Sequence, residues 1–391
     1  MTTASSTSST FFGTALLAAA LSLPSVQFAN ADAPPERSVF SVKYLNYEDS
    51  QPGINTTSSA SSGGSADKRV GVQAVSVRGM VPFASLWSLG SSYTYDSVSG
   101  ASPAYHTTRL TSMKDSRRAA DLQLARYFPL GNVSFGTSYS GESDYISRNL
   151  SLQGSISTAD KNTTITLGGS LTNDTINPSN MTAQESKKIV AGLVGITRVL
   201  TSQDIVQLNI GYSKGTGYYS DPYKLEDNRP RDRNNTTAMV RWNHHFDESF
   251  TDGTVRSSYR YYSDTFGIKA HTLDVEYVQP VAQEWTVTPL LRFYSQGAAD
   301  FYVPVGAAET ATTVTPHPAS FVYYTEDQRL AAFGAITLGL KVSKKIGDDW
   351  LVDVKYEHYE QRANWSLSSN KDAGLAPFSA RSIQVGASRS F

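Results

Sequence analysis

The chain contains no cysteine, which excludes disulfides, thiolate metal sites, covalent haem attachment and a lipid-anchoring thiol. After the first thirty or so positions it also lacks any long apolar run. A spanning helix needs roughly 20 consecutive apolar residues, so a helical membrane protein is excluded. Charge is sparse and balanced, with 34 Lys and Arg against 35 Asp and Glu and only 18% of residues charged. That balance offers no electrostatic footprint for nucleic acid. None of these absences excludes a transmembrane barrel. Its strands alternate lipid-facing and lumen-facing side chains, so their mean hydropathy resembles that of a soluble chain.

What is present begins with an apolar segment, Phe11 to Leu23, followed by Phe28-Ala29-Asn30-Ala31, whose small residues suit a signal-peptidase site. Residues 1–31 therefore read as a signal peptide, 32–38 as a periplasmic linker and 39–391 as a barrel. No Lys or Arg precedes the apolar segment, a departure from the usual signal pattern.

The end of the chain is the most informative stretch. In Ser382 to Phe391, Ile383, Val385, Ala387 and Phe391 fall on one strand face, and Ser382, Gln384, Gly386, Ser388 and Ser390 on the other; Arg389 breaks the pattern. An open sheet ending this way would expose a hydrophobic edge that recruits other strands. A closed barrel has no edge. A final strand ending on Phe391 is also the signal expected by the barrel-assembly machinery of the outer membrane. Other strands are equally two-faced: Val206, Leu208, Ile210 and Tyr212 oppose Gln207, Asn209 and Gly211, while Trp350, Val352, Val354 and Tyr356 oppose Asp353, Lys355 and Glu357. A two-sheet sandwich would need more Val, Ile and Leu on its inner faces, because charge is expensive in a dry core.

The first strand reads as Val39 to Glu48, and the connections then alternate short with long. Short ones fall near Val81-Pro82, Pro129-Leu130-Gly131, Thr158 to Asn162, Thr201 to Asp204, Asp247 to Ser249, Pro280 to Gln283 and Gly347-Asp348-Asp349. Longer ones are Asp49 to Lys68, Ser97 to Ser116, Asp174 to Ser186, Gly217 to Asn234, Gly297 to Asp327 and Trp365 to Ser379, with tighter ones near Asp144 and Asp264. The rhythm predicts an all-β, transmembrane antiparallel β-barrel of about 16 strands, with long extracellular loops and short periplasmic turns. Phe128, Phe246, Trp285, Trp350 and Phe391 lie beside the short turns, and Tyr95, Tyr261, Tyr262, Tyr294 and Tyr359 towards the long loops, as two interfacial girdles would require.

Several stretches together carry a resemblance. They include Ser138-Tyr139-Ser140-Gly141-Glu142-Ser143-Asp144-Tyr145, Ser220-Asp221-Pro222-Tyr223-Lys224, Arg229-Pro230, Arg260-Tyr261-Tyr262-Ser263-Asp264-Thr265-Phe266-Gly267, Arg292-Phe293-Tyr294-Ser295-Gln296 and Asp327-Gln328-Arg329-Leu330. In this order they resemble a Gram-negative outer-membrane family designated domain of unknown function (DUF) 3570. The resemblance implies a barrel and an outer-membrane address. It supplies no reaction, but it hints at a periplasmic, redox-type partner.

Nine charged residues fall on predicted inner faces: Arg241, Arg256, Arg260, Asp274, Glu276, Arg292, Asp353, Lys355 and Glu357. Rings of charge tune pore selectivity, and a salt-bridged, closed lumen uses the same residue types. Their balanced signs argue against strong ion selectivity. Glu142, Asp144, Asp221 and Asp264 lie at the predicted loop-side rim, where carboxylates suit a cation such as calcium. Asp also ends strands and starts turns, and no loop has the spacing of a calcium motif, so no metal or cofactor is expected. Lys224, Arg229, Arg231 and Arg233 form a basic cluster fitted to lipopolysaccharide phosphates or to local acids such as Asp221 and Asp227. His244 and His245 are adjacent on a strand and point to opposite faces, so they cannot chelate one ion. No Gly-x-Ser-x-Gly elbow is present. The reading is a channel for small polar solutes, with outer-membrane lipid and lipopolysaccharide as its surroundings. A scaffold barrel housing a periplasmic partner is the alternative, and an enzyme is not expected.

Overall fold

Backbone N–H and C=O groups cannot stay unpaired in hydrocarbon, so a sheet that crosses a bilayer must close on itself. In the computed structural model it does. Residues 33–51, 68–103, 110–224, 227–247, 252–304, 322–369 and 375–391 are described. The expected signal peptide, most of the first loop and the middle of the Gly297 to Asp327 loop lie outside them.

The strands are β1 (Val39–Ser50), β2 (Lys68–Phe83), β3 (Trp87–Pro103), β4 (Leu110–Phe128), β5 (Gly131–Gly141), β6 (Tyr145–Ser157), β7 (Thr163–Ile176) and β8 (Glu185–Val199). They continue as β9 (Asp204–Gly217), β10 (Asp232–His245), β11 (Thr254–Asp264), β12 (Lys269–Ala282), β13 (Trp285–Gln296), β14 (Phe333–Ile346), β15 (Trp350–Arg362) and β16 (Phe378–Ser390). Each pairs antiparallel with its sequence neighbours, and β1 closes the barrel on β16 with Val42 opposite Ala387 and Tyr44 opposite Val385. Seven short connections lie at one end and eight connections at the other, the alternation read from the sequence.

Boundaries differ where strands outrun the bilayer. β1 continues to Ser50, and most of the expected Ser97 to Ser116 loop is paired, with Ser97 opposite Ser116 and Ser99 opposite Lys114. A strand that projects into water on both faces needs no apolar alternation, so its sequence looks like a loop. At the opposite end β2 passes through Pro82, and the turn is made by Ala84 and Ser85, both at positive φ (46° and 60°).

Exposure separates the two faces. Leu150, Leu152 and Ile156 of β6, Ile165, Leu167 and Leu171 of β7, and Val190, Val194 and Ile196 of β8 all point outward and are exposed. Each would cost roughly 1.5–3 kcal/mol if left in water, so this wall belongs in lipid. Between them the inward positions of β6 and β7 are Ser, Thr, Gln and Gly, and those of β8 are Ala191, Leu193 and Gly195. At the short-turn end aromatic rings face outward with cations over them: Arg126 lies 5.3 Å from the Trp87 ring and 5.1 Å from Phe128, Lys344 4.9 Å from Trp285, and Arg389 5.4 Å from Trp350 and 4.8 Å from Phe391. Arg389, the exception in the terminal pattern, thus sits in the interfacial girdle. Phe391 is exposed at this girdle, and its N–H donates to the Ser38 carbonyl at 2.9 Å.

The second girdle is only partly as expected. Tyr95 and Tyr261 face outward, but Tyr262, Tyr294 and Tyr359 occupy inward register positions and pack into apolar clusters at the long-loop end. Strand parity decides this, because a tyrosine next to an outward tyrosine must point inward.

Candidate functional site

Cross-strand partners share a face, so the register places side chains directly. Met239 opposes Arg260, Ser258 opposes Arg241 and Asp274, Arg256 opposes Glu276, and Asp274 opposes Arg292, while Val240, Tyr259 and Leu273 form the outward row. On β15, Asp353, Lys355 and Glu357 face Ser343, Lys341 and Gly339. All nine residues expected to face inward therefore do so. Gly386, across from Asp353, is a close approach: a Cβ there would overlap the Asp353 carboxylate.

The charges are not evenly paired. Arg292 Nε donates to Asp274 Oδ1 at 2.5 Å, Lys355 lies 2.8 Å from Glu357, and Lys341 lies 3.8 Å from Asp353. Arg241, Arg256 and Arg260 form no salt bridge among the described residues, and Arg260 only reaches the Thr272 hydroxyl at 3.5 Å. Arg241 sits opposite Ser258, with Arg256 and Arg260 two positions to either side. Arg256 and Arg260 are exposed although they point inward, so water reaches them inside the barrel. The opposite wall, β5 to β9, presents uncharged groups such as Ser134, Gln153, Thr166 and Asn209. The lumen thus has one wall that is uncharged below the mutually paired Asp174 and Lys187 near the long-loop end, and one charged wall with a local excess of arginine.

At the long-loop end two loops are tied together by a feature the sequence did not reveal. The β9–β10 loop crosses the mouth, and the Lys224 ammonium feels the charge of Arg69 on β2, eight strands around the ring. Asp327 accepts from Arg229 Nη2 at 2.8 Å and from Arg329 Nε at 2.7 Å, and Arg329 also donates to Asp221 at 2.5 Å. Arg229 in turn donates to Asp227 at 2.9 Å. The Asp327 side chain is 0% exposed. Burial alone would raise its carboxyl, but the Arg329 and Arg229 guanidiniums hold it well below the usual range. Asn228 and Tyr324 exchange two backbone hydrogen bonds of 2.9 Å, stitching the β9–β10 loop to the β13–β14 loop. Around them Tyr219, Phe266, Ile268, Ala299 and Leu330 form a dry cluster. Gly267, at φ 88°, makes the turn beneath it, and any Cβ would meet the Asp300 carboxylate.

The expected rim carboxylates are thereby divided. Asp221 is held by Arg329, and Asp264 accepts from Arg233 at 2.6 Å and the Tyr262 hydroxyl at 2.8 Å, so neither faces a cation site. The basic cluster is likewise consumed by local acids: Arg231 pairs with Glu185 at 2.5 Å, and Arg229 and Arg233 are taken by Asp227, Asp327 and Asp264. Glu142 and Asp144 do lie together, joined by Asp115, with one oxygen from each within 4.8 Å of the others. Burial, then the Asp115 carboxylate, pushes Glu142 up to about 8. Burial also raises Asp144, against the Tyr223 hydroxyl that donates to it. His244 bonds Asp204 and His245 bonds Thr254, on opposite faces.

The model of the family described as "Protein of unknown function (DUF3570)" matches residues 104–382. The chain belongs to that family. No curated protein sequence matches it. Among solved structures, the siderophore receptor PirA from Pseudomonas aeruginosa aligns over 84% of this chain and 56% of its own at 10% identity and a TM-score of 0.44. CdiB from Acinetobacter baumannii aligns over 89% and 60% at 9% identity and 0.49, and a Pseudomonas aeruginosa FadL homologue over 90% and 90% at 10% identity and 0.43. The chain thus spans little more than half the length of the first two. At such identities and TM-scores these likenesses carry no argument of their own, and the closed antiparallel barrel of 16 strands stands on its own register.

Proposed function

We propose that this member of the DUF3570 family is an outer-membrane channel for small polar solutes, with a preference for anions and a mouth cap that gates it. The observation that carries the reading is the inward yet exposed arginine group, Arg256 and Arg260 with Arg241 beside them. Three guanidiniums that form no salt bridge among the described residues, with the single carboxylate of Glu276 opposite one of them, leave a net positive lining that attracts anions and repels cations. They outweigh the charge balance read from the sequence, because Arg292, Lys355 and Lys341 answer Asp274, Glu357 and Asp353, which leaves Glu276, opposite Arg256, as the one acid of that inner-face group against three arginines. The barrel-assembly machinery and the lipids of the outer membrane are the partners this function requires.

The loops bound to each other at the long-loop end favour a second reading, a scaffold barrel entered from the short-turn side by a periplasmic partner. Planar-bilayer recording of the folded chain, with heat-modifiable gel migration as the folding check, separates the two. Discrete, anion-selective steps support the channel. Silence from the folded barrel, even with its cap loosened, would overturn it in favour of the scaffold.

A further inference from the structure

Four cations lie on the lipid-facing side of the barrel without a partner. Arg118 of β4, Arg148 of β6, Lys188 of β8 and Lys214 of β9 occupy outward register positions and are exposed. None forms a salt bridge among the described residues. Arg148 and Lys188 both flank Asn173 of β7 in one cross-strand row, and Lys214 is one diagonal further on, opposite Val190. With strands about 4.8 Å apart, Arg148 and Lys188 are separated by roughly 10 Å.

Their height in the wall is set by what lies beside them. Towards the short-turn end each is followed on the same face by the apolar band, at Leu122, Leu150, Val190 and Tyr212, all exposed. They therefore stand at the boundary between hydrocarbon and headgroups at the long-loop end. The described residues place no acidic side chain outward at this end of β4 to β9. Elsewhere around the rim Arg381 lies 2.8 Å from Glu48 on β1 and Arg362 lies 3.3 Å from Glu360 on its own strand, while Lys269 of β12 also faces outward, exposed and without a salt bridge among the described residues. Four of these five unpaired outward cations thus lie together on β4 to β9, with the outward Asp232 of β10 bordering the group beyond Thr216.

We propose that this face binds the phosphate groups of an anionic glycolipid in the outward leaflet of the membrane. Charge complementarity, bidentate recognition of phosphate by guanidinium, and the position of the cations just above an apolar wall that would hold the acyl chains all fit that occupant. The tyrosines beside the cations, Tyr139 opposite Arg148 and Tyr212 next to Lys214, suit the same boundary. The site differs from the loop cluster Lys224, Arg229, Arg231 and Arg233, whose arginines are paired with acids.

The test uses the whole barrel purified in detergent, incubated with lipid A carrying both phosphates and then passed over a sizing column, with bound lipid counted by native mass spectrometry. The wild type is expected to retain it, and to lose about fivefold in retention for each charge removed, so more than about a hundredfold in the variant Arg118→Ala, Arg148→Ala, Lys188→Ala, Lys214→Ala. Should that variant not fold, Arg148→Gln with Lys188→Gln is expected to lose about 25-fold. Outward cations at the opposite end, replaced as Arg126→Ala and Arg198→Ala, should leave retention unchanged. Equal retention by the folded charge variants, equal retention of lipid A stripped of its phosphates, or displacement of the lipid by millimolar inorganic phosphate would each overturn the assignment.

Discussion

Asp327 is the residue on which the mouth cap turns. It accepts from two guanidiniums, and it also caps the short helical turn that follows by accepting from the Arg329 backbone N–H at 3.0 Å. Asp327→Ala removes the counter-ion that Arg229 and Arg329 share but leaves each of them one acid, Asp227 and Asp221 respectively, so the cost is at most the lower end of the about 3–5 kcal/mol of a stranded buried charge. The strands do not depend on this residue, so the cost falls on the cap and appears as local opening. At about 1.4 kcal/mol per tenfold change, the ratio of closed to open mouths falls by up to roughly two orders of magnitude. The expected result in planar bilayers is a barrel that is open most of the time, where the wild type conducts only in brief steps. Hydrogen exchange supplies a second readout, since Leu330, Ala331 and Ala332, now almost fully buried, should lose protection. The sign with pH follows from the depressed Asp327 carboxyl: its contribution is complete above the ordinary carboxylate range and is lost only as pH falls through the lowered value. The wild-type cap therefore stays shut through neutral and mildly acidic pH. A folded Asp327→Ala barrel with unchanged conductance and unchanged exchange at 330–332 would show that Asp327 does not hold the two loops together.

Replacing Arg241, Arg256 and Arg260 with Ser should shift the reversal potential in a salt gradient towards cations, by at least about fivefold in permeability ratio, since each charge is worth about 1 kcal/mol at 4 Å in water. Identical selectivity in wild type and variant would remove these arginines from the conduction path. Glu142, pushed up to about 8 from 4.5, binds a proton more tightly folded than unfolded, so it imposes a penalty that is absent below its unfolded value and complete above its folded one. Glu142→Gln should then raise the unfolding temperature at pH 9 and not at pH 4, by up to a few kcal/mol of stability; a pH-independent effect would count against the burial argument. Phe391→Ala should lower the yield of heat-modifiable barrel in cells while leaving the thermal stability of the folded fraction nearly unchanged, because the ring is 59% exposed. A large loss of stability instead would make it a packing residue and not an assembly signal.

What was legible in the sequence was local. The alternation of Val206, Leu208, Ile210 and Tyr212 with Gln207, Asn209 and Gly211 needs no distant partner to be read, and the nine inner-face charges follow from the same period. The cap was not legible because its bonds are remote: Arg229 meets Asp327 across 98 positions, and Arg329 meets Asp221 across 108. Each loop taken alone showed only mixed charge. The same stretches could be read as a cation rim or a basic patch until the structure showed which acids answered which arginines. The outer cations were missed for another reason. Lys187 and Lys188 are neighbours in sequence, yet Lys187 lies inside the wall 3.2 Å from Asp174 with none of its side chain exposed, while Lys188 faces the membrane boundary with no partner. Composition counts the two as equivalent. One step of a β-strand makes the first a part of the sealed interior and leaves the second available to a lipid phosphate, and that step can be read only once the register is known.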